Sequence, residues 1–472
     1  MKKSIFLSLL CFSIHSSILS QDLDVSLNKR FLLYKNKPFA WIGDTAWELF
    51  HVLNREEADR YLEKRAKQGF TVIQAVILAE SDGLRKPNAY GELPFLNLSP
   101  DEPNDLYFRH VDYIINKAEK LGLVMAILPT WADKVPSDRE GWGPVIFNKQ
   151  NAEHYGNYLG RRYLNKPVVW VLGGDRNILN EETFQIWKAM GLALKNQSKG
   201  SQLITYHPAG ESSSSKWFQN EAWLDFNMYQ SGHAKRFMPV YKYAETDYSV
   251  YPPKPFIDAE PAYEDIPVEF WKYLNFKNPI TVPVSILNKD NILINKGYFK
   301  KGFFSDYDVR LTAYWNFLSG ACGYTYGNNA VWQMFRKKGT FVIPCLTDWK
   351  KALKRPGAKD IKHLKALLIE KGFSKLVPDQ SLILGVNRQD STHIRAARAE
   401  DNSFAIIYLA LGQPVDLNLS TFKGQLTAYW YNPRNGRKNK IKNSQEKNGH
   451  FTPPSSGIDN DWVLILECKP HY

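Results

Sequence analysis

Cysteine is scarce in this 472-residue chain. Of the four, Cys11 lies in the N-terminal apolar stretch, leaving Cys322, Cys345 and Cys468. So sparse and odd a set supplies neither a disulfide framework nor metal-ligand spacing. Histidines 51, 207 and 233 are scattered, with no His-x-x-x-His pair and no compact carboxylate cluster, so no metal or other cofactor is expected. No glycine-rich phosphate turn follows the first strand signal, which removes the main feature of a doubly wound nucleotide-binding sheet. Beyond the N-terminus no apolar run approaches the ~20 residues a membrane span needs. Neither a membrane span nor a nucleic-acid partner is expected.

What is present is globular: 44% hydrophobic and 23% charged residues. Aromatics are dense at 14%, with 14 tryptophans, which suits either a sugar-binding cleft or a large aromatic core. The start, MKKSIFLSLLCFSIHSSILSQ, has a basic Lys2-Lys3, an apolar Ile5 to Ile14 and a small residue before Gln21. That pattern predicts a secretory signal peptide over 1–20 and export to the periplasm or beyond. Leu10 is too large to precede a lipidated cysteine. Losing Lys2 and Lys3 lowers the formal charge from +13 to +11. A basic exported protein is matched either to an acidic polymer such as a uronic-acid polysaccharide or simply to solubility.

Along the chain, strand and helix signals alternate. Apolar runs near residues 40, 74, 126, 170, 205, 227, 257 and 324 are mostly separated by amphipathic stretches such as Arg55 to Gln68, closed by Gly69. Between the fifth and sixth runs, ESSSSKWFQNEAW leaves room for only a short helix. Eight strands with intervening helices predict an α/β fold, a (β/α)8 TIM barrel, over 21–377. After Pro378 long helices stop. SLILGVN, HIRAARA, SFAIIYLAL, LTAYWYN and DWVLILEC predict an all-β sandwich over 378–472. Its basic RNGRKNKIK either touches an acidic ligand or forms a solvated hairpin.

In such a barrel the C-terminal strand ends line the active site. Those ends carry Asp44, a Glu80-Ser81-Asp82 group, Trp131, Asp175, His207, Gln230 with His233, Glu260 and Tyr326. Asp175 closes the fourth strand in VVWVLGGDRN and Glu260 the seventh in DAEPAYE. Opposed strands bring two carboxyl groups to face each other across one pocket. Glycosidic hydrolysis needs that pairing, one group to protonate the leaving oxygen and one to attack or to activate water. A lone strand-end aspartate is as well explained by a structural hydrogen bond, or by a pair with Arg176 or Arg310. Asp44, Trp47, Trp131, Asn177, His207, Tyr229, Tyr263 and Arg310 are the candidate substrate contacts, with His207 and Tyr229 alternatively orienting a carboxylate. Asp258 and Glu264 are the rivals to Glu260. In a strand Asp258 points the same way as Glu260 but one layer deeper. The pair Gly173-Gly174 is expected to leave open space for a sugar.

WIGDTAWELF, VVWVLGGDRN, YHPAGESSSSKWF, LDFNMYQSGH, DAEPAYE and AYWNFLSGACGYTYGNNAVWQ together resemble the DUF4038 apiosidase-like family, glycoside hydrolase family 140, from about Asp24 to Trp349. The C-terminal unit, with YWYNPRNG and DWVLILE, resembles the collagen-binding-type β module that commonly follows that barrel. The resemblance implies a (β/α)8 hydrolase of plant pectin, with an apiosyl linkage in rhamnogalacturonan II as the characterised target. It also implies an acid/base at Asp175 and a nucleophile at Glu260. The expected reaction is retaining hydrolysis, and the expected partner an acidic pectic poly- or oligosaccharide. A non-catalytic carbohydrate-binding protein, a hydrolase of another glycan, and a polysaccharide lyase remain the alternative classes.

Overall fold

The computed structural model describes residues 23–470, apart from residues 81, 138–140, 142, 276–279 and 443–448. The expected signal segment at 1–20 and Ser81 lie outside the described residues. A small antiparallel sheet of Leu23–Val25, Leu32–Tyr34 and Lys37–Phe39 precedes the main body.

Eight parallel strands follow: β1 (Trp41–Thr45), β2 (Val72–Val76), β3 (Val124–Leu128), β4 (Val168–Gly173), β5 (Ile204–His207), β6 (Asn227–Gln230), β7 (Phe256–Asp258) and β8 (Gly323–Tyr326). Except at β5–β6, each pairs with its neighbour in sequence, and β8 returns to β1 with Gly323 opposite Trp41 and Tyr326 opposite Asp44. The β5–β6 seam carries no strand ladder. It is closed by Thr205 Oγ1 donating to Phe226 O (2.7 Å), by Asp225 N donating to Ile204 O (2.8 Å), and by the Asp225 carboxylate accepting from Ile204 N. The result is a nearly closed (β/α)8 barrel.

Both strand faces are buried, so the strands read as continuous apolar runs and not as alternations. Val72, Val76, Val124, Ala126, Val169, Val171 and Met228 fill the barrel interior. Ile73, Ala75, Met125, Ile127, Trp170 and Leu172 face outward to the helices. Those helices are α1 (Arg55–Gln68), α2 (Asp105–Lys120), α3 (Lys149–Arg162), α4 (Glu181–Gln197), α5 (Val240–Ser249), α6 (Asp306–Phe317) and, beyond β8, α7 (Pro356–Lys371). The first starts where the Asn54 side chain accepts from Glu57 N and stops at left-handed Gly69. Between β5 and β6 only the four-residue helix Ser215–Phe218 forms, as the serine-rich linker implied.

The C-terminal unit is a six-stranded antiparallel sheet that includes β9 (Ile394–Ala399), β10 (Phe404–Leu409), β11 (Gly424–Tyr431) and β12 (Trp462–Pro470). One face packs under the small sheet of Val415–Asp416 and His450–Phe451, making an unequal sandwich. The other face packs on the barrel helices, with Tyr314 stacked on Tyr408 at 4.6 Å. SLILGVN is not a strand: the Asp379 carboxylate accepts from Ser381 N and Oγ, and this turns the chain into a short 3-10 segment, Gln380–Leu382. Of the basic RNGRKNKIK stretch, Lys438–Lys440 pairs with β11, and Lys438 reaches Glu467 and Glu370.

Candidate active site

A cavity of about 760 Å³ opens at the C-terminal ends of the strands. Its lining includes Trp47, Glu80, Trp131, Asp175, Arg176, Asn177, Gln230, His233, Glu260 and Tyr263. Asp175 and Glu260, 85 residues apart in sequence, meet in this one pocket because β4 and β7 stand on opposite sides of the barrel.

At the end of β4 the backbone turns sharply through Gly173 (φ 85°), Gly174 (φ 126°) and Asp175 (φ 50°). A Cβ on Gly173 would lie 2.4 Å from His207 O, and one on Gly174 would lie 2.8 Å from the Trp131 ring. Contrary to the sequence expectation, the two glycines therefore do not leave open space for a sugar. They admit the Trp131 indole and the β5 backbone while allowing a left-handed turn that sends Asp175 into the pocket. Arg176 Nη1 lies 3.4 Å from Asp175 Oδ2, and its Nη2 lies 3.9 Å from Glu80 Oε1.

Glu260 is held between two imidazoles. His233 Nε2 donates to Oε1 at 3.1 Å, and the other ring nitrogen of His233 accepts from Tyr263 N at 3.4 Å, which sets the tautomer. His207 Nε2 stands 3.3 Å from Oε2. Its Nδ1 lies 3.5 Å from Asp175 N and 3.0 Å from Pro208 O, so one ring lies between the two carboxylate-bearing segments. Burial alone would raise the Glu260 pKa, but the two imidazoles outweigh it and hold the carboxyl well below the usual range.

Its rivals are different. Asp258 is fully buried, accepts from Ser231 Oγ (2.6 Å) and Asn316 Nδ2 (3.0 Å), and is pushed up to about 6 by desolvation. Glu264 accepts from Tyr326 OH at 2.6 Å and is raised to about 7 by burial. Neither lines the pocket. Glu80 does; desolvation lifts it to about 7, helped by Asp133 and Asp175 and opposed by Arg176.

Of the expected contacts, Trp47, Trp131, Asn177 and Tyr263 line the cavity. Trp47 and Trp131 meet edge to face at 5.1 Å, and Trp47 meets His207 at 5.6 Å. His207 is fully buried and acts on Glu260, so the orienting role fits it and direct sugar contact does not. Like His207, three more residues lie away from the lining. Asp44 sits beneath the pocket, fully buried, bound by Arg65 Nε (2.7 Å) and Tyr61 OH. Tyr229 is buried with its hydroxyl on Asn316, which in turn donates to Asp258. Arg310 is likewise absent from the lining. It is buried at the junction with the C-terminal sheet and pairs with Asp461 (3.0 and 3.2 Å), Asp360 (2.6 Å), Asp306 (2.9 Å) and Asp459.

His233, Glu80 and Trp332 belong to the site but were given no role from sequence. The first two carried the signal of a strand-end position. Among the described residues no cluster of three or more His, Cys, Asp or Glu is arranged to hold a metal ion, and no helix is long and apolar enough to cross a membrane.

A (β/α)8 barrel with two carboxyl groups brought into one tryptophan-walled pocket at its C-terminal face defines a glycoside hydrolase. The chain belongs to the apiosidase-like family, whose catalytic-domain model matches residues 26–375; a collagen-binding-type domain described from a collagenase matches 377–467. One similar solved structure is described as a glycoside hydrolase, with 30% identity over 95% of this chain and 97% of that one, at a TM-score of 0.80. Another is a family 5 glycoside hydrolase from Bacteroides vulgatus ATCC 8482, with 29% identity over 95% and 94%, at 0.81. No protein of curated function matches the chain.

Proposed function

We propose that this glycoside hydrolase is exported and cleaves an apiosyl linkage of rhamnogalacturonan II in plant pectin, with Glu260 as nucleophile and Asp175 as acid/base. The observation that carries the two-carboxylate reading is the contrast in ionisation. Of Asp258, Glu260 and Glu264, Glu260 alone lines the pocket and is kept anionic by imidazoles, while Asp258 and Glu264 are pushed toward neutrality by burial. In the first step Glu260 attacks the anomeric carbon as Asp175 donates its proton to the departing oxygen. In the second step Asp175 takes a proton from water as the water oxygen attacks the anomeric carbon and displaces the Glu260 carboxylate, which releases the sugar with retained configuration.

Membership of the apiosidase-like family supports the sugar, and the basic sequence supports an acidic polymer as the setting. Product analysis on rhamnogalacturonan II fragments tests the substrate: free or terminal apiose with retained anomeric configuration is expected. An unsaturated, ultraviolet-absorbing product would mean a lyase instead. Asp175→Asn is expected to lose about 10²–10⁴-fold in turnover on natural substrate, and much less on an activated aryl glycoside whose leaving group needs no proton. Glu260→Gln is expected to lose both. Near-normal turnover by either variant on the natural glycan would remove that residue from the mechanism.

A further inference from the structure

The pocket is acidic. Its described lining carries the carboxylates Glu80, Asp175, Glu211 and Glu260, while the Arg176 guanidinium in the same lining already faces two of them. A uronate at the bottom of this cavity would meet like charge, so an acidic polymer has to be held elsewhere on the surface.

The long segment between β7 and α6 supplies such a place. From Glu260, rings run outward to the pocket mouth: His233 against Phe270 at 6.0 Å, then Phe270 against Trp271 at 5.2 Å. Trp271 is 40% exposed, whereas the other tryptophans of the lining, Trp47, Trp131 and Trp332, are 3–6% exposed. The next residue, Lys272, belongs to a second groove of about 550 Å³, lined also by Tyr273, Asn295, Gly297, Tyr298 and Lys300. The single 3-10 turn Phe270–Lys272 thus lends lining residues to both cavities.

That groove is built and not frayed. Tyr298 OH donates to Tyr273 O at 2.9 Å, their rings pack on each other at 6.1 Å and on Phe299 at 5.2 and 5.4 Å, and Glu269 pins Lys272 at 3.1 Å and Lys301 at 2.6 Å. Lys296, Lys300 and Lys301 are all exposed beside it, and neither Lys296 nor Lys300 forms an ion pair among the described residues.

We infer that this lysine- and tyrosine-lined groove is a subsite for uronate-bearing sugars of the substrate, joined to the catalytic pocket across Trp271. Sugar carboxylates meet Lys272 and Lys300, ring faces meet the tyrosines, and the bond to be cut lies in the acidic pocket. The inference rests on the proposed pectic substrate, and it explains how one face can serve an acidic polymer with a carboxylate-rich cleavage site.

Calorimetric titration of oligogalacturonate, and of the same oligomer with its carboxyls reduced to alcohols, tests it without turnover. Wild type is expected to bind the acidic oligomer with an affinity that falls steeply with salt, and the reduced oligomer markedly more weakly. The double variant Lys272→Gln/Lys300→Gln is expected to lose about tenfold in affinity for the acidic oligomer, the scale of two exposed charge pairs. Equal affinity for the two oligomers, no binding by wild type, or unchanged binding by the double variant overturns the subsite. Glu260→Gln is expected to retain the binding while losing hydrolysis. A failure of the proposed cleavage chemistry is therefore read separately from a failure of the groove.

Discussion

Glu260 shows what a single residue takes from its surroundings. A carboxyl group this deeply enclosed would ordinarily have its pKa raised, as burial raises that of Asp258, two residues earlier in the same chain, to about 6. Two imidazoles reverse that. His233→Ala is expected to raise the Glu260 pKa, so the acid limb of kcat/KM moves to higher pH; a pH–rate profile of the variant checks the sign. Glu80 makes the opposite prediction. With a carboxyl pushed up to about 7 beside Asp175 and Arg176, it changes charge within the neutral range, and that charge acts on the pocket. Glu80→Gln is expected to remove a step near neutrality from the kcat/KM profile that wild type shows. Sequence placed Asp175 and Glu260 at strand ends, where side chains of a barrel converge. It ranked Glu260 over Asp258 by depth, since desolvation makes the deeper carboxyl the worse nucleophile, but not by the imidazoles, which come from β5 and from the segment after β6.

At the scale of elements, the turn after β4 is the most constrained segment of the site. The apolar run and the double glycine marked a strand ending at a functional carboxylate, and the strand does end there. What the glycines accommodate was not legible, since Trp131 arrives from 43 residues upstream. Gly174→Ala is expected to destabilise the fold by about 1–3 kcal/mol, from φ strain and displacement of the indole, and to lower kcat as Asp175 moves with it. Thermal melting and steady-state kinetics measured together check this. The loop between β7 and α6 is the converse case. It lacks periodicity, so its aromatic and lysine residues had no assignable direction until the barrel ends beside it fixed where they face.

The whole molecule joins the barrel and the C-terminal sheet through one apolar core and one buried charge network. Tyr314, Leu364 and Leu368 of the barrel side share a cluster with Phe404, Ile406 and Val463. Arg310, expected at the sugar, instead makes a two-pronged pair with Asp461 across this junction. Arg310→Met is expected to leave Asp360 buried without its cation and Asp461 with one cation, Arg434, in place of two, at a cost of about 3–5 kcal/mol in denaturant unfolding, while KM stays unchanged. A raised KM with unchanged stability would return Arg310 to the substrate.

By itself the amino-acid sequence determined the barrel, its strand order, the change to an all-β unit and the two carboxylates worth pairing. Those properties rest on local periodicity and on strand-end position, which a linear chain records. Tertiary structure alone decided which of the strand-end and loop residues reach the pocket: Asp44, Tyr229 and Arg310 went to buried partners, while Glu80 and His233, marked only as strand-end positions, and Trp332, not marked at all, came to the lining. The physical reason is that a polar side chain is satisfied by whichever group stands opposite it, and that group comes from a segment distant in sequence.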